Sequence, residues 1–201
     1  MRVCLLPKAA GKPSGERSEC AISDADLDIV LRQAVQGLRQ ARVRYAIIGA
    51  WALSLWGKPR ATADLDFLDF VNEPGLERVI RFLTESGMTI DELWQQWNPM
   101  LRGSQVRFQY RGVAVDLMCP RDLHDREIFR RRRRRRVGSE FYWVVSLEDF
   151  ILQRIKLGRP RDFEDALSVV ERFREKLDLN YLEHWADQLR VGAELRYIMS
   201  L

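Results

Sequence analysis

Residues 61 to 70, ATADLDFLDF, constrain this chain more than any other stretch. Apolar and strongly β-forming residues alternate there as they do in a strand, yet Asp64, Asp66 and Asp69 interrupt them. Side chains on a strand alternate faces, so Asp64 and Asp66 stand side by side while Asp69 points the other way, toward the surface. Neighbouring carboxylates repel, and aspartate is depleted from strands, so this arrangement needs a reason. Asp116 repeats the oddity inside the apolar run VAVDLM. Acids placed this way are either costly errors or ligands for hard cations.

The surrounding pattern gives these acids a scaffold. Ser23 is placed to cap a helix carrying Leu27, Val30, Leu31, Ala34, Val35 and Leu38 at helical spacing. RYAIIG, residues 44 to 49, reads as a buried strand, and AWALSLWG as a helix stopped at Gly57. A second strand covers 64 to 71, and Pro74 opens a helix that ends at Gly87. Residues 88 to 103 are ambiguous, with Trp94 and Trp97 covering a sheet edge. Strands at 105 to 110 and 113 to 118 are joined through Arg111-Gly112 as a hairpin. FYWVVS is a further strand. Ser146 to Asp149 forms a capping box for a helix to Leu157, Pro160 opens another, and a last helical region starts near residue 179. The expectation is an α+β protein, with a mixed β-sheet of about five strands, flanking helices and a C-terminal helical segment. Its parts are a flexible lead-in at 1–22, an α/β core at 23–145, and helices packed on it at 146–201.

Composition narrows the partners. The net charge is +4, but Arg130 to Arg136 are seven consecutive arginines, without which the rest carries −3. Basicity is therefore local, an electrostatic footprint for RNA or another polyanion. The bland reading is a solvated loop or helix face. No apolar run approaches the roughly 20 residues of a membrane span, and VCLL near the start is too short for a secretory signal. Cys4, Cys20 and Cys119 are too few and scattered for a disulfide framework, and His124 and His184 lack zinc spacing. A reduced, cytoplasmic protein is expected.

GAWALSLWGKPRATADLDF resembles the signature of the nucleotidyltransferase superfamily related to DNA polymerase β. Members carry a glycine turn, a spacer, an Asp-x-Asp pair and a third carboxylate on a later strand. The likeness covers about residues 44 to 170. It is nearest the small bacterial branch of AbiEii/MenT-type toxins and antibiotic nucleotidyltransferases, through Arg60-Ala-Thr62-Ala-Asp64-Leu-Asp66 and SLEDFILQRIKLGRPRDFEDA. The resemblance implies a nucleotidyltransferase fold and transfer of an NMP from an NTP to an acceptor hydroxyl. It implies Asp64, Asp66 and Asp116 as ligands of a two-ion Mg²⁺ site, with Asp116 also helping to deprotonate the acceptor. Gly49 and Ala50 would face the phosphates, Lys156 would neutralise the leaving pyrophosphate, Arg60 would do the same or only position the strand, and Thr62 would lie just upstream of the acids. The acceptor would be RNA, for example a tRNA 3′ end, or a small molecule such as an antibiotic. The toxin branch implies an antitoxin partner.

Two departures stand out. Ala50 replaces the usual Ser or Gly, removing a hydroxyl contact, and thirteen residues separate it from Asp64. The other class of reading is therefore a silent member of the fold that binds nucleic acid or protein. Residue by residue, Asp116 could instead pair with a buried arginine, and Lys156 could snorkel to solvent. Asp162 and Asp165 could simply favour the dipole of a helix starting at Pro160.

Overall fold

The computed structural model describes residues 23–70 and 73–201; the expected lead-in at 1–22 lies outside them. Helix α1 (Asp24–Gln40) starts where the sequence places it, with the Ser23 hydroxyl accepting from the Asp26 N–H. There follow β1 (Arg44–Ile48), α2 (Gly49–Trp56), β2 (Asp64–Phe70) and α3 (Glu73–Glu85). The ambiguous stretch resolves into a two-residue strand β3 (Thr89–Ile90), a short helix α4 (Glu92–Trp97) and a 3-10 turn at Pro99–Leu101. The hairpin β4 (Gln105–Tyr110) and β5 (Val113–Met118) turns through Arg111 and Gly112, both at positive φ (51° and 78°), as a tight two-residue loop requires.

The arginine run is where the expectation departs most. It is neither one solvated loop nor one helix face. Arg130 and Arg131 end helix α5 (Leu123–Arg131), and Arg133 to Arg136 form most of strand β6 (Arg133–Val137), paired with β7 (Glu140–Val144). Four helices close the chain: α6 (Leu147–Leu157), α7 (Pro160–Phe173), α8 (Leu179–Leu189) and α9 (Gly192–Ser200).

The sheet is mixed and has seven strands among the described residues, in the order β3-β4-β5-β2-β1-β7-β6. The mixed α/β class is as expected; the two extra strands are β3 and β6. β1 and β2 are antiparallel, whereas β2 with β5 and β1 with β7 are parallel. Helix α1 packs with α3 and lies beside Tyr142 on one face of the sheet. Helices α5 and α6 flank the opposite face, where they line a cleft with Ile48, Asp66 and Met118. One apolar cluster runs from Val30 of α1 through Phe67, Val115 and Phe150 to Ile198 of α9.

Because helices cover both faces, Asp69 is not at the surface. It is fully buried, opposite Tyr45 across β1–β2. Among the described residues neither carboxylate oxygen has a full hydrogen-bond partner, and its polar neighbour is the Cys119 thiol. Burial pushes the Asp69 carboxyl up to about 7 and the Cys119 thiol up to about 11. A carboxyl whose pKa is raised on folding stabilises fully below its unfolded pKa, near 4, and loses that contribution as pH rises through about 7. Asp69→Asn should therefore raise the thermal midpoint by several degrees at pH 8 and by little at pH 4.5. The full linkage is worth about 4 kcal/mol. Calorimetry at the two pH values checks this; an equal shift at both would mean that Asp69 ionisation is not what burdens the fold.

Candidate active site

The acids of β2 and β5 come together because of register. Asp66 sits directly opposite Asp116 on the parallel pair, and Asp64, two residues before Asp66, shares that face. Asp116 is buried, Asp66 is half-buried and Asp64 is exposed at the strand's start. Burial first, then the charges of Asp116 and Asp64, lift the Asp66 carboxyl to about 6; Arg154 and Arg107 pull against this. The Thr62 hydroxyl accepts from the Asp64 N–H at 3.2 Å and sets the backbone where the acids begin.

Gly49 fixes the other wall. It has φ +69° and leads directly from β1 into α2. A Cβ there would overlap the Asp66 Oδ2 and stand 2.7 Å from its Cγ, so only glycine lets the chain pass so close to the carboxylate. The N-cap, Ile48, offers no side-chain acceptor to the first N–H groups of α2, which leaves this helix start suited to an anion. Ala50 is buried.

Asp66 and Gly49 open into a cleft of about 490 Å³. Arg121, Asp122, Asp125, Arg154, Lys156 and Arg159 also line it. The sequence passes over Arg154, yet it is the most committed cation of the cleft. It is buried on α6, donates to Asp162 at 2.9 Å and lies 3.6 Å from Asp165, while its Nη2 has no partner among the described residues. Asp162 and Asp165 are thus more than dipole ornaments: both are buried and hold arginines. Despite burial, Arg159 and Arg154 keep the Asp162 carboxyl below its ordinary range. Acids at positions 162 and 165, just after the helix of Arg154, were the available signal for that arginine.

Other expected residues have different occupations. Arg60 is clamped to Asp165 through Nε and Nη2, both at 3.1 Å, so it ties β2's lead-in to α7 rather than pointing at the cleft. Lys156 lines the cleft but its ammonium rests on Asp122. Asp116 does pair with an arginine: Arg107, opposite it on β4, donates to both oxygens at 2.8 and 2.5 Å and stacks on Trp94. That bond also raises the Arg107 pKa. His124 belongs to a buried junction between helices. It is buried against Asp149 at 3.1 Å, and Asp149 also accepts from Ser146 and Tyr181, joining α5, α6 and α8. Arg131 lies over the Tyr181 ring and pairs with Glu148 in the same junction, so it is withdrawn from any basic surface.

Among the described residues no three acidic, histidine or cysteine side chains are arranged to hold a metal ion. Asp116 is turned onto Arg107 and Asp64 stands outside the buried pair. The donor chemistry nevertheless suits a hard cation that takes the rest of its shell from phosphate: all the ligands are oxygen, and the raised Asp66 carboxyl is one that a cation would relieve.

No family model and no curated protein matches the sequence. Solved structures do match. The antibiotic-resistance factor ANT(2'')-Ia superposes with a TM-score of 0.57 at 12% identity, over 87% of this chain and 95% of that one. The lincosamide antibiotic adenylyltransferase LnuA, with lincomycin bound, gives 0.52 at 14% identity, over 74% of this chain and 97% of that one. ANT(2'')-Ia in complex with adenylyl-2''-tobramycin gives 0.51 at 11% identity, over 84% and 97%. This chain has a nucleotidyltransferase fold. In that fold the acid pair, the glycine turn and the cleft occupy one end of the central strands, where β1 and β2 meet α2. Among the described residues no helix is long and apolar enough to cross a membrane.

Proposed function

We propose that this chain moves a nucleoside monophosphate from an NTP to an acceptor hydroxyl, releasing pyrophosphate. The observation that carries the reading is Asp66, opposite Asp116 in register and pressed against Gly49, in one cleft with Arg154 and its unpartnered guanidinium nitrogen. A bond forms between the acceptor oxygen and the α-phosphorus, and the α–β bridge breaks with its electron pair leaving on pyrophosphate. Asp64, Asp66 and Asp116 would hold Mg²⁺ together with phosphate oxygens. When bound, the ion supplies Lewis-acid neutralisation of phosphate charge and eases ionisation of the acceptor. The first N–H groups of α2 receive phosphate oxygens, and Arg154 faces the charge that builds as pyrophosphate departs. Asp116 accepts the hydroxyl proton, with Arg107 orienting its carboxylate.

RNA is the acceptor favoured by the basic edge strand; a tRNA 3′ end is one such hydroxyl, and a toxin-like enzyme of this kind works in the cytoplasm beside an antitoxin. A small-molecule acceptor is the second reading, favoured by structural neighbours described with lincomycin and adenylyl-2''-tobramycin. The test is label transfer from each α-labelled NTP, with Mg²⁺, into total RNA, aminoglycosides or lincosamides. Arg154→Lys should lower kcat by roughly 10²-fold, since one preorganised donor is worth about that much. Lys156→Gln, already neutralised by Asp122, should cost about tenfold or less. No transfer to any pool, with Mg²⁺ and NTP both failing to bind, would leave the silent binding module as the reading.

A further inference from the structure

Arg132 to Arg136 have no carboxylate partner among the described residues, unlike Arg130 and Arg131. Four of these five lie exposed on β6, an outermost strand of the sheet. Burial and, after it, the charge of Arg44 push the Arg132 pKa down, and burial and then Arg133 do the same to Arg135. Beside them β7 alternates strictly, with Tyr142 and Val144 buried while Phe141 and Trp143 face solvent at 40% and 38% exposure. The guanidinium of Arg134 lies 4.0 Å from the Phe141 ring and that of Arg132 lies 4.6 Å from the Trp143 ring. Arg39, from the last turn of α1, reaches the Phe141 carbonyl and completes a concavity of about 380 Å³ with Arg134, Glu140, Phe141 and Trp143.

Unpaired cations in such density call for a polyanion. A solvated surface does not explain two rings held outward two residues apart, each with a guanidinium beside it. Rings of β7 set beside cations of β6 on one face of the hairpin match an anion that carries flat apolar groups at each repeat, which describes single-stranded nucleic acid and not a lipid surface or a sulfated glycan. We infer that the outer face of the β6–β7 hairpin binds single-stranded RNA, with Phe141 and Trp143 stacking on bases and Arg132, Arg134 and Arg136 contacting phosphates. Register puts this face on the same side of the sheet as Asp66: Ile47 pairs with Val144, so Ile48, the partner of Asp66, and Trp143 face the same way. The inference deepens the RNA-acceptor version of the proposed function, giving that acceptor a second anchoring point.

The test is fluorescence anisotropy with a labelled mixed-sequence single-stranded RNA, without NTP or metal, as a function of salt. Trp143→Ala and Phe141→Ala should each weaken binding about tenfold, as loss of one base stack does. Arg134→Gln should weaken it and lower the salt slope by about 0.7, the value for one phosphate contact on a single strand. Asp66→Asn should bind as the parent does, which separates this surface from the catalytic reading. If label transfer fails everywhere but these binding effects hold, the catalytic proposal falls and this one stands. Absence of RNA binding, affinity unmoved by both aromatic substitutions in variants of parental thermal stability, or tighter capture by anionic phosphatidylserine vesicles would each overturn it.

Discussion

Asp66→Asn is expected to abolish nucleotidyl transfer, by about a thousandfold or more in kcat/KM, while making the protein more stable. Both halves follow from the same carboxylate. Asp66 is half-buried between Asp64 and Asp116, and burial together with those charges lifts its pKa to about 6. A pKa raised on folding means stability that is complete in acid and lost as pH rises through that value. At pH 8 the parent has lost it, and the variant, which keeps the shape without the charge, has nothing to lose. The gain should reach roughly 3 kcal/mol at pH 8 and nearly vanish by pH 4. Function sites are where such costs are tolerated. Denaturation at two pH values and label transfer at one suffice as measurements. A second readout needs no turnover: Mg²⁺ with a non-hydrolysable NTP analogue should raise the parent's thermal midpoint and leave the variant's unmoved. A variant that retains transfer within tenfold of the parent would remove Asp66, and with it the acid pair, from the mechanism.

The acids were legible because they break a pattern. Charge inside an apolar strand is rare enough that Asp64, Asp66 and Asp116 stand out without any structure. What could not be read is the register that sets Asp66 against Asp116, since strand pairing is a non-local property. Caps and turns were equally plain: Ser23, Ser146 and Arg111-Gly112 mark their elements through local hydrogen bonding and φ. Asp69 was misplaced by a sound rule applied to the wrong architecture. Period-2 alternation tells which residues share a face, and here helices cover both faces, so the face opposite Asp66 is core and not solvent. β6 was hidden because its residues have no apolar alternation; the strand forms on a partner, β7, whose alternation is clear and whose rings receive the arginines. Arg107 and Arg154 were invisible for a related reason. An arginine in sequence looks solvated, and its burial is decided by acids that reach it from another strand or helix, here Asp116 and Asp162.

Gly49→Ala should be nearly as damaging as removing the acid, though it deletes no functional group. Two costs combine. The residue has φ +69°, a conformation that costs an ordinary side chain about 1 kcal/mol. The new methyl would also overlap the Asp66 Oδ2 and lie 2.7 Å from its Cγ and 2.9 Å from its Cβ. Neither neighbour is the loose end of a flexible chain, because Asp66 is fixed by β-sheet pairing to Ile48 on one side and Asp116 on the other. The carboxylate or the start of α2 must then shift by something near 1 Å, and misplacement on that scale costs about 10²-fold in rate. Ala50 is the contrasting control. It is buried and carries no functional group, so Ala50→Gly should cost about 1 kcal/mol of helix stability and leave transfer within a few-fold. Rates for the two variants, normalised by circular dichroism for folded fraction, decide the matter. If Gly49→Ala loses no more activity than Ala50→Gly, the close approach of α2 to Asp66 is only a packing detail. If it loses a hundredfold while remaining folded, the glycine turn acts through the carboxylate it crowds, and the departure at Ala50 is harmless because backbone, not hydroxyl, receives the phosphate.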